Sequence, residues 1–214
     1  MHEAHSVKIR NIIFDLGGVL LNINPLLSLL EFARICNTDP EILQSRLAAD
    51  SIFQKYDTGK FTDSQFRNEL CRIMNYNAAD EEIDAAWNIL LLDFPPARVN
   101  MLKQLRRNYR IFLLSNTNGI HFRKYTHDFS KKYGISMTSL FDKLYLSYEI
   151  GIHKPDEGIY KHVLQDAGLN AGECLFIDDS LPNIEAAERM GMQCIHISNG
   201  TDVTSYFENG ILKF

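Results

Sequence analysis

The run Asn11-Ile12-Ile13-Phe14 ends in one carboxylate, Asp15, and two glycines, Gly17 and Gly18, follow at once. Its core is apolar on both sides and β-branched or aromatic. That predicts a strand covered on both faces, as in the interior of a parallel sheet. Asp15 then falls at the C-terminal end of the strand, where open α/β sheets place their ligand crevice. The glycines let the backbone turn tightly and come close to a ligand. Taken alone, Asp15 is equally an Asp that caps a turn.

The same pattern recurs later in the chain. Arg110-Ile111-Phe112-Leu113-Leu114, Lys143-Leu144-Tyr145-Leu146-Ser147, Cys174-Leu175-Phe176-Ile177 and Gln193-Cys194-Ile195-His196-Ile197 all read as strands. Helical stripes lie between them. Arg98 to Asn108 is one, and Phe122, Tyr125 and Phe129 mark the next. Ile159, Val163 and Ala167 mark a third with Gly168 as its C-cap, and Ile184, Ala187 and Met190 a fourth stopped by Gly191. Strands alternating with helices predict a parallel sheet with right-handed crossovers. Between Pro25 and Phe94 no strand pattern appears. Leu26, Leu27, Leu29, Leu30 and Phe32 predict a well-buried helix from Pro25 to Cys36. Asp39-Pro40-Glu41 opens another, and Asp57-Thr58-Gly59-Lys60 is a turn. Thr62 and Gln65 form a capping box ahead of Phe66, Leu70, Ile73 and Met74. Ile83, Ala86, Trp87 and Leu90 share a further helical face, and Phe94-Pro95-Pro96 ends the block. A helical cap inserted after the first strand explains this switch better than one continuous domain.

Composition excludes more than it proves. With 214 residues, 45% of them hydrophobic, the chain is long enough to bury a real core. The net charge of -5 is spread among interspersed acids and bases, so neither nucleic acid nor an anionic membrane is expected as partner. Cys36, Cys71, Cys174 and Cys194 are far apart without a C-x-x-C pair, so free thiols are expected rather than disulfides or zinc. The N-terminus lacks a signal-peptide run and no apolar stretch is long enough to span a bilayer, which predicts a soluble, cytoplasmic protein. His2 and His5 read as a frayed terminus rather than a metal site.

Polar residues close the apolar strands: Asp15, Ser115 with Asn116, and Asp178 with Asp179. Lys154 follows a short loop after the third strand. In a parallel sheet all these ends converge. The set suits phosphoryl transfer, in which a carboxylate attacks phosphorus. Magnesium held by Asp15 and a second carboxylate would offset the charge repulsion. Lys154 would neutralise the transferring group, and Ser115 with backbone N–H groups would bind its oxygens. Singly, each residue is a cap or a solvated charge; four in this order favour a site.

These segments resemble the haloacid dehalogenase-like superfamily of hydrolases. Phe14-Asp15-Leu16-Gly17-Gly18-Val19, Leu114-Ser115-Asn116-Thr117-Asn118, His153-Lys154-Pro155 and Ile177-Asp178-Asp179-Ser180 match its four motifs in order. The resemblance implies an α/β fold with a Rossmann-like catalytic core, residues 1–23 and 95–214, and a helical cap, residues 24–94. It implies Asp15 as nucleophile, Ser115 and Lys154 on the phosphate, and Asp179 and the Gly17 carbonyl as magnesium ligands. Asp178 would act near the metal through water, and Asn116, Gly17 and Gly18 would border the phosphate. A closer likeness is to the bacterial α-glucose-1-phosphate phosphatases, which points to a small phosphorylated metabolite such as a sugar phosphate; the chain itself is open to a monomer or a homodimer.

One departure is chemical. Family phosphatases carry a second Asp two residues after the nucleophile as general acid; here Gly17 stands there. An anomeric leaving group that needs little protonation would tolerate this. So would an acid from the cap, and Tyr56 or Asp57 is the candidate. A dehalogenase would tolerate it too, since halide leaves without a proton, but would leave Asp178-Asp179 unexplained. A non-catalytic phospho-ligand binder is the third alternative. A phosphorylatable receiver is disfavoured by the order of its acids. The region after Ser198, with turns at Asn199-Gly200 and Asn209-Gly210, carries no interpretable motif.

Overall fold

The computed structural model describes residues 8–198 and 200–213; His2, His5 and Asn199 lie outside them. The chain runs β1 (Asn11–Phe14), α1 (Pro25–Ile35), α2 (Pro40–Asp50), α3 (Ile52–Asp57), α4 (Asp63–Met74) and α5 (Asp80–Asn88). It continues α6 (Pro96–Leu105), β2 (Arg110–Ser115), α7 (Gly119–Tyr133), β3 (Lys143–Leu146), α8 (Ser147–Ile150) and α9 (Glu157–Asp166). Last come β4 (Cys174–Asp178), α10 (Leu181–Arg189), β5 (Gln193–His196), β6 (Phe207–Glu208) and β7 (Ile211–Leu212).

The expected α/β sheet forms from β3-β2-β1-β4-β5 in that order, every pair parallel. β1 is central. Side chains alternate between its two faces. Ile12 and Phe14 join Ile111, Leu113, Leu175 and Ile177 in one core, while Ile13 joins Phe112, Leu114 and Phe176 in another. Helices cover both layers, which is why the strands read as continuous apolar runs. The strand order turns back between β1 and β4, so their C-terminal ends border the switch point where such sheets bind ligands. The Asp15 N–H donates to the Ile177 carbonyl at 2.8 Å, tying the residue after β1 to β4.

Residues 25–88 contribute five helices around a third core of Phe32, Leu43, Leu47, Phe66, Leu70 and Trp87. Among the buried members of that core, Ile120 comes from α7 on the sheet side. The segments leaving and re-entering the sheet region run side by side, with Ile23 bridged antiparallel to Leu91. The expected caps form. Asp39 accepts from the Glu41 N–H at 2.9 Å, and Thr62 and Gln65 make the reciprocal capping box.

Several local expectations shift. The helix expected from Arg98 starts at Pro96, because a proline at the first helical position sacrifices no hydrogen bond. Ser147 begins α8 instead of ending β3. Asp57 is the last residue of α3, and the turn follows it. α1 is less buried than its leucines suggest: Leu26 is 55% exposed and Leu30 44%. Phe207 and Glu208 pair with Leu212 and Ile211 across the Asn209-Gly210 turn, a hairpin too short to show a period.

Candidate active site

Lys154 is the centre of the strand-end cluster. Its Nζ donates to Asp15 Oδ1 at 2.6 Å, to Asp178 Oδ2 at 2.6 Å and to the Leu114 carbonyl at 2.9 Å. All three donors of the ammonium are thereby used. Its side chain is 1% exposed, against 11% for Asp15 and none for Asp178. A buried charge of this kind survives only when paired and hydrogen-bonded. Burial works against the Lys154 charge, yet Asp15 and Asp178 outweigh it and raise its pKa. Burial pushes Asp15 up to about 7, against the pull of Lys154.

Asp178 serves two masters. Oδ1 accepts from the Ser180 N–H at 2.8 Å and from Asn183 Nδ2 at 2.9 Å at the entry to α10, while Oδ2 takes Lys154. The N-cap of α10 is Ser180, so Asp178 ties the helix start to the cluster without capping it. Asp179 points its more exposed carboxylate toward Gly18. A Cβ on Gly18 would sit 2.2 Å from Asp179 Oδ2, and the backbone there has φ +76°, so this glycine is needed twice over. Burial and then Asp178 raise the pKa of Asp179. Ligand atoms of Asp15, Asp178 and Asp179 lie within 4.8 Å of one another. One ammonium faces three carboxylates, and this excess of hard oxygen donors fits a magnesium ion. A divalent cation there would also restore Asp15 to its ionised form.

Ser115, buried at the last position of β2, lies beside this cluster in the sheet. Asn116 is brought in differently from expectation. Its Oδ1 accepts from the Lys154 N–H and its Nδ2 donates to the Lys154 carbonyl, both at 2.9 Å. That amide clamps the Lys154 backbone, so the side chain is a positioning group. Gly17 has no side chain to offer, and a Cβ there would meet Ile23 Cδ1 at 2.9 Å.

A cavity of about 590 Å³ opens between the helices and the loop after β2, and Ile23, Asp57, Asn116, Asn118 and His121 are among its walls. Asn118 caps α7, its Oδ1 accepting from the His121 N–H at 3.0 Å. Its Nδ2 donates to Asp57 Oδ1 at 2.9 Å and lies 3.3 Å from His121 Nδ1. His121 Nε2 is 3.2 Å from the Trp87 carbonyl, which fixes Nε2 as the protonated nitrogen and Nδ1 as acceptor. Burial holds His121 down at about 4. Burial lifts Asp57 to about 6, against the Asn118 bond and His153. Tyr56, the other candidate acid, faces inward: it stacks on Phe66 with centroids 4.0 Å apart and donates to Asp63 Oδ1 at 2.6 Å.

Asn118, His121, Ser147 and Asn183 escaped sequence reasoning. Asn118 was legible as an N-cap, and Asn183 as the residue one turn into the helix after Asp178-Asp179. Ser147 was not, since its role is tertiary: its Oγ accepts from the Thr117 N–H at 3.0 Å and donates to the Thr117 carbonyl. Among the described residues no helix is long and apolar enough to cross a membrane, and all four cysteines are free.

Known proteins resemble this chain. The model of the haloacid dehalogenase-like hydrolases matches residues 9–191. A D-ribitol-5-phosphate phosphatase from Bacteroides thetaiotaomicron is 30% identical over 195 residues, 91% of this chain and 94% of that protein. A sesquiterpene phosphatase from Aspergillus oryzae is 25% identical over 193 residues, covering 87% and 89%. The crystal structure of a family enzyme from B. thetaiotaomicron in complex with magnesium and inorganic phosphate superposes with a TM-score of 0.87 at 34% identity, covering 94% of this chain and 100% of that one. With the family pattern running from the first strand to the turn after α10, the chain belongs to the haloacid dehalogenase-like hydrolases.

Proposed function

We propose that this hydrolase is a magnesium-dependent phosphatase that releases phosphate from a small phosphorylated metabolite through an aspartyl-phosphate at Asp15. The observation that carries this reading is Asp15 bonded to a buried ammonium, with Asp178 and Asp179 close enough to share one cation. The dehalogenase alternative leaves the acidic pair unexplained. The names of both curated relatives support ester hydrolysis, although one is a polyol phosphate enzyme and the other a terpenoid one.

Asp15, Asp179 and the Gly17 carbonyl would hold the metal, with Asp178 behind them. Bound there, magnesium supplies charge to the phosphoryl oxygens. Asp15 attacks phosphorus and the bond to the ester oxygen breaks. Lys154 and Ser115 stabilise the transferring group. The leaving oxygen takes a proton from Asp57, the carboxyl group on the cavity wall. Water then attacks the aspartyl-phosphate and returns a proton to Asp57, freeing Asp15 and inorganic phosphate. Residues 24–94 act as the cap that shapes the leaving-group side, and residues 1–23 and 95–214 as the catalytic core. Sugar 1-phosphates such as α-glucose 1-phosphate fit Gly17, because an anomeric hydroxyl leaves with little help. With Asp57 as acid, Gly17 does not restrict the enzyme to them.

Phosphate release from a panel of phosphomonoesters, with and without magnesium, tests the reading. Release that needs magnesium and vanishes in Asp15→Asn is the expected result. Halide release from 2-haloacids with no phosphate release would replace it with the dehalogenase.

A further inference from the structure

The cavity beside the strand-end cluster has more to say about the leaving group. It touches the cluster at two points. Ile23 sits against Gly17, two residues past the nucleophile, and Asn116 is clamped to Lys154. Its volume of about 590 Å³ is within the usual range for a small-molecule site. Most of its wall is apolar: Leu26, Leu29, Phe32, Leu47, Phe53 and Trp87 carry it. Phe53 and Trp87 stack with centroids 4.9 Å apart.

The polar groups on the wall are already engaged. Ser28 Oγ donates to the Trp87 carbonyl at 2.9 Å, and His121 Nε2 donates to the same oxygen. Both polar atoms of the Asn116 amide serve the Lys154 backbone. Asn118 Oδ1 serves the His121 N–H, and Nδ2 is shared between Asp57 and His121. Trp87 Nε1 is buried with no partner. Gln44 is exposed where the cavity opens. Those two aside, that leaves Asp57 Oδ2 as the one of these side-chain atoms with no hydrogen bond of its own among the described residues, while Asn116, Asn118 and Ser28 keep only the second donor or lone pair of atoms already held in place. A polyol placed here would lose water from each hydroxyl and find few partners on a mostly apolar wall, and every hydroxyl left unpaired weakens binding.

We propose that the cavity takes an apolar leaving group, so that the substrate is a phosphomonoester of an aliphatic or aromatic alcohol rather than of a polyol or sugar. The inference rests on the phosphatase reading above. Hydrocarbon fills the walls of α1, α2 and α5, and Asp57 meets the one ester oxygen that needs a proton. The exposure of Leu26 then has a use, since it lies where an apolar chain would enter.

The test compares n-hexyl phosphate with D-sorbitol 6-phosphate, which share carbon number and primary-alcohol leaving group but differ in hydroxyls. Binding is measured by calorimetry to magnesium-loaded Asp15→Asn, which needs no turnover, and kcat/KM is measured on wild type. Both should favour the hexyl ester by about ten-fold or more. Leu29→Asn should erase most of that preference by weakening the hexyl ester, whereas Leu29→Met keeps it. Equal or tighter binding of the sorbitol ester, or a preference untouched in a folded Leu29→Asn, overturns the proposal. Acetyl phosphate, which has no chain for the cavity, separates the two readings. If wild type does not hydrolyse it or either ester, the phosphatase reading fails while the binding comparison still decides what the cavity takes.

Discussion

The sheet ends and the helical segment both bury polar groups, yet they do so in opposite ways. Around Lys154 the buried groups are charged and held in an excess of negative charge that one ammonium does not balance. Around Trp87 they are neutral, and Ser28, Asn118 and His121 bond to backbone and to one another. The first arrangement is unstable without a further cation and is built for charged phosphoryl chemistry. The second rejects polar ligands and is built for shape. Reaction and selectivity are thereby assigned to different parts of the chain, with Asp57 at the boundary between them.

Substitutions on the two sides should separate accordingly. Asp15→Asn removes the nucleophile and should lower phosphate release by roughly 10⁴-fold or more for every ester alike. Asp57→Asn should instead discriminate. Loss of a general acid costs roughly 10²–10⁴-fold for alkyl phosphates, but little for 4-nitrophenyl phosphate, whose leaving group needs no proton. The pH profile sharpens this. Asp57 must be protonated, so kcat/KM for alkyl esters should fall as pH rises through about 6. That limb should disappear in Asp57→Asn. His121 and His153 are the titratable neighbours to compare by substitution. Equal losses for both classes of ester would reduce Asp57 to a structural role.

How far these assignments could be read from the chain differs by region. The convergence of Asp15, Ser115, Asp178 and Asp179 was legible because each closes or follows a short apolar run, and a parallel sheet gathers such ends; Lys154, set beyond a loop and α8, was placed there by the order of the segments. The order of the strands was not, since it depends on which crossovers pack. The helical segment was legible in its caps, Asp39 and the Thr62–Gln65 box, which are local devices. Its cavity was not. Leu26 and Leu29 show the same periodicity whether they face a core or a void, so α1 read as buried. Asp57 read equally as a turn residue and as a candidate acid, because its partner, Asn118, is far away in sequence.

The stability of the charged side yields the next prediction. Lys154→Met leaves Asp15 and Asp178 buried without their counter-ion, which should cost roughly 3–5 kcal/mol. Magnesium should then raise the melting temperature of Lys154→Met more than that of wild type, because it supplies charge that the variant lacks. An equal magnesium shift in both would argue against a cation beside Lys154.

The neutral side should show a smaller, pH-dependent effect. His121 titrates near 4 when folded and near 6.5 when unfolded. Its contribution is full above pH 6.5 and is lost as pH falls towards 4, because the unfolded side chain then binds a proton that the folded one refuses. The loss amounts to roughly 3 kcal/mol at most. Urea unfolding between pH 7 and pH 4, measured on wild type and His121→Gln, should give a flatter acid limb for the variant. Parallel limbs would mean that His121 is protonated in place.

An aspartyl-phosphate at Asp15 is tested most directly by quenching wild type with acid during turnover of a phosphomonoester and mapping the phosphoryl group by mass spectrometry. The expected result is an adduct on the peptide carrying Asp15, absent when magnesium is chelated and absent in Asp15→Asn. An adduct on another residue, or one that forms equally without magnesium, would contradict it.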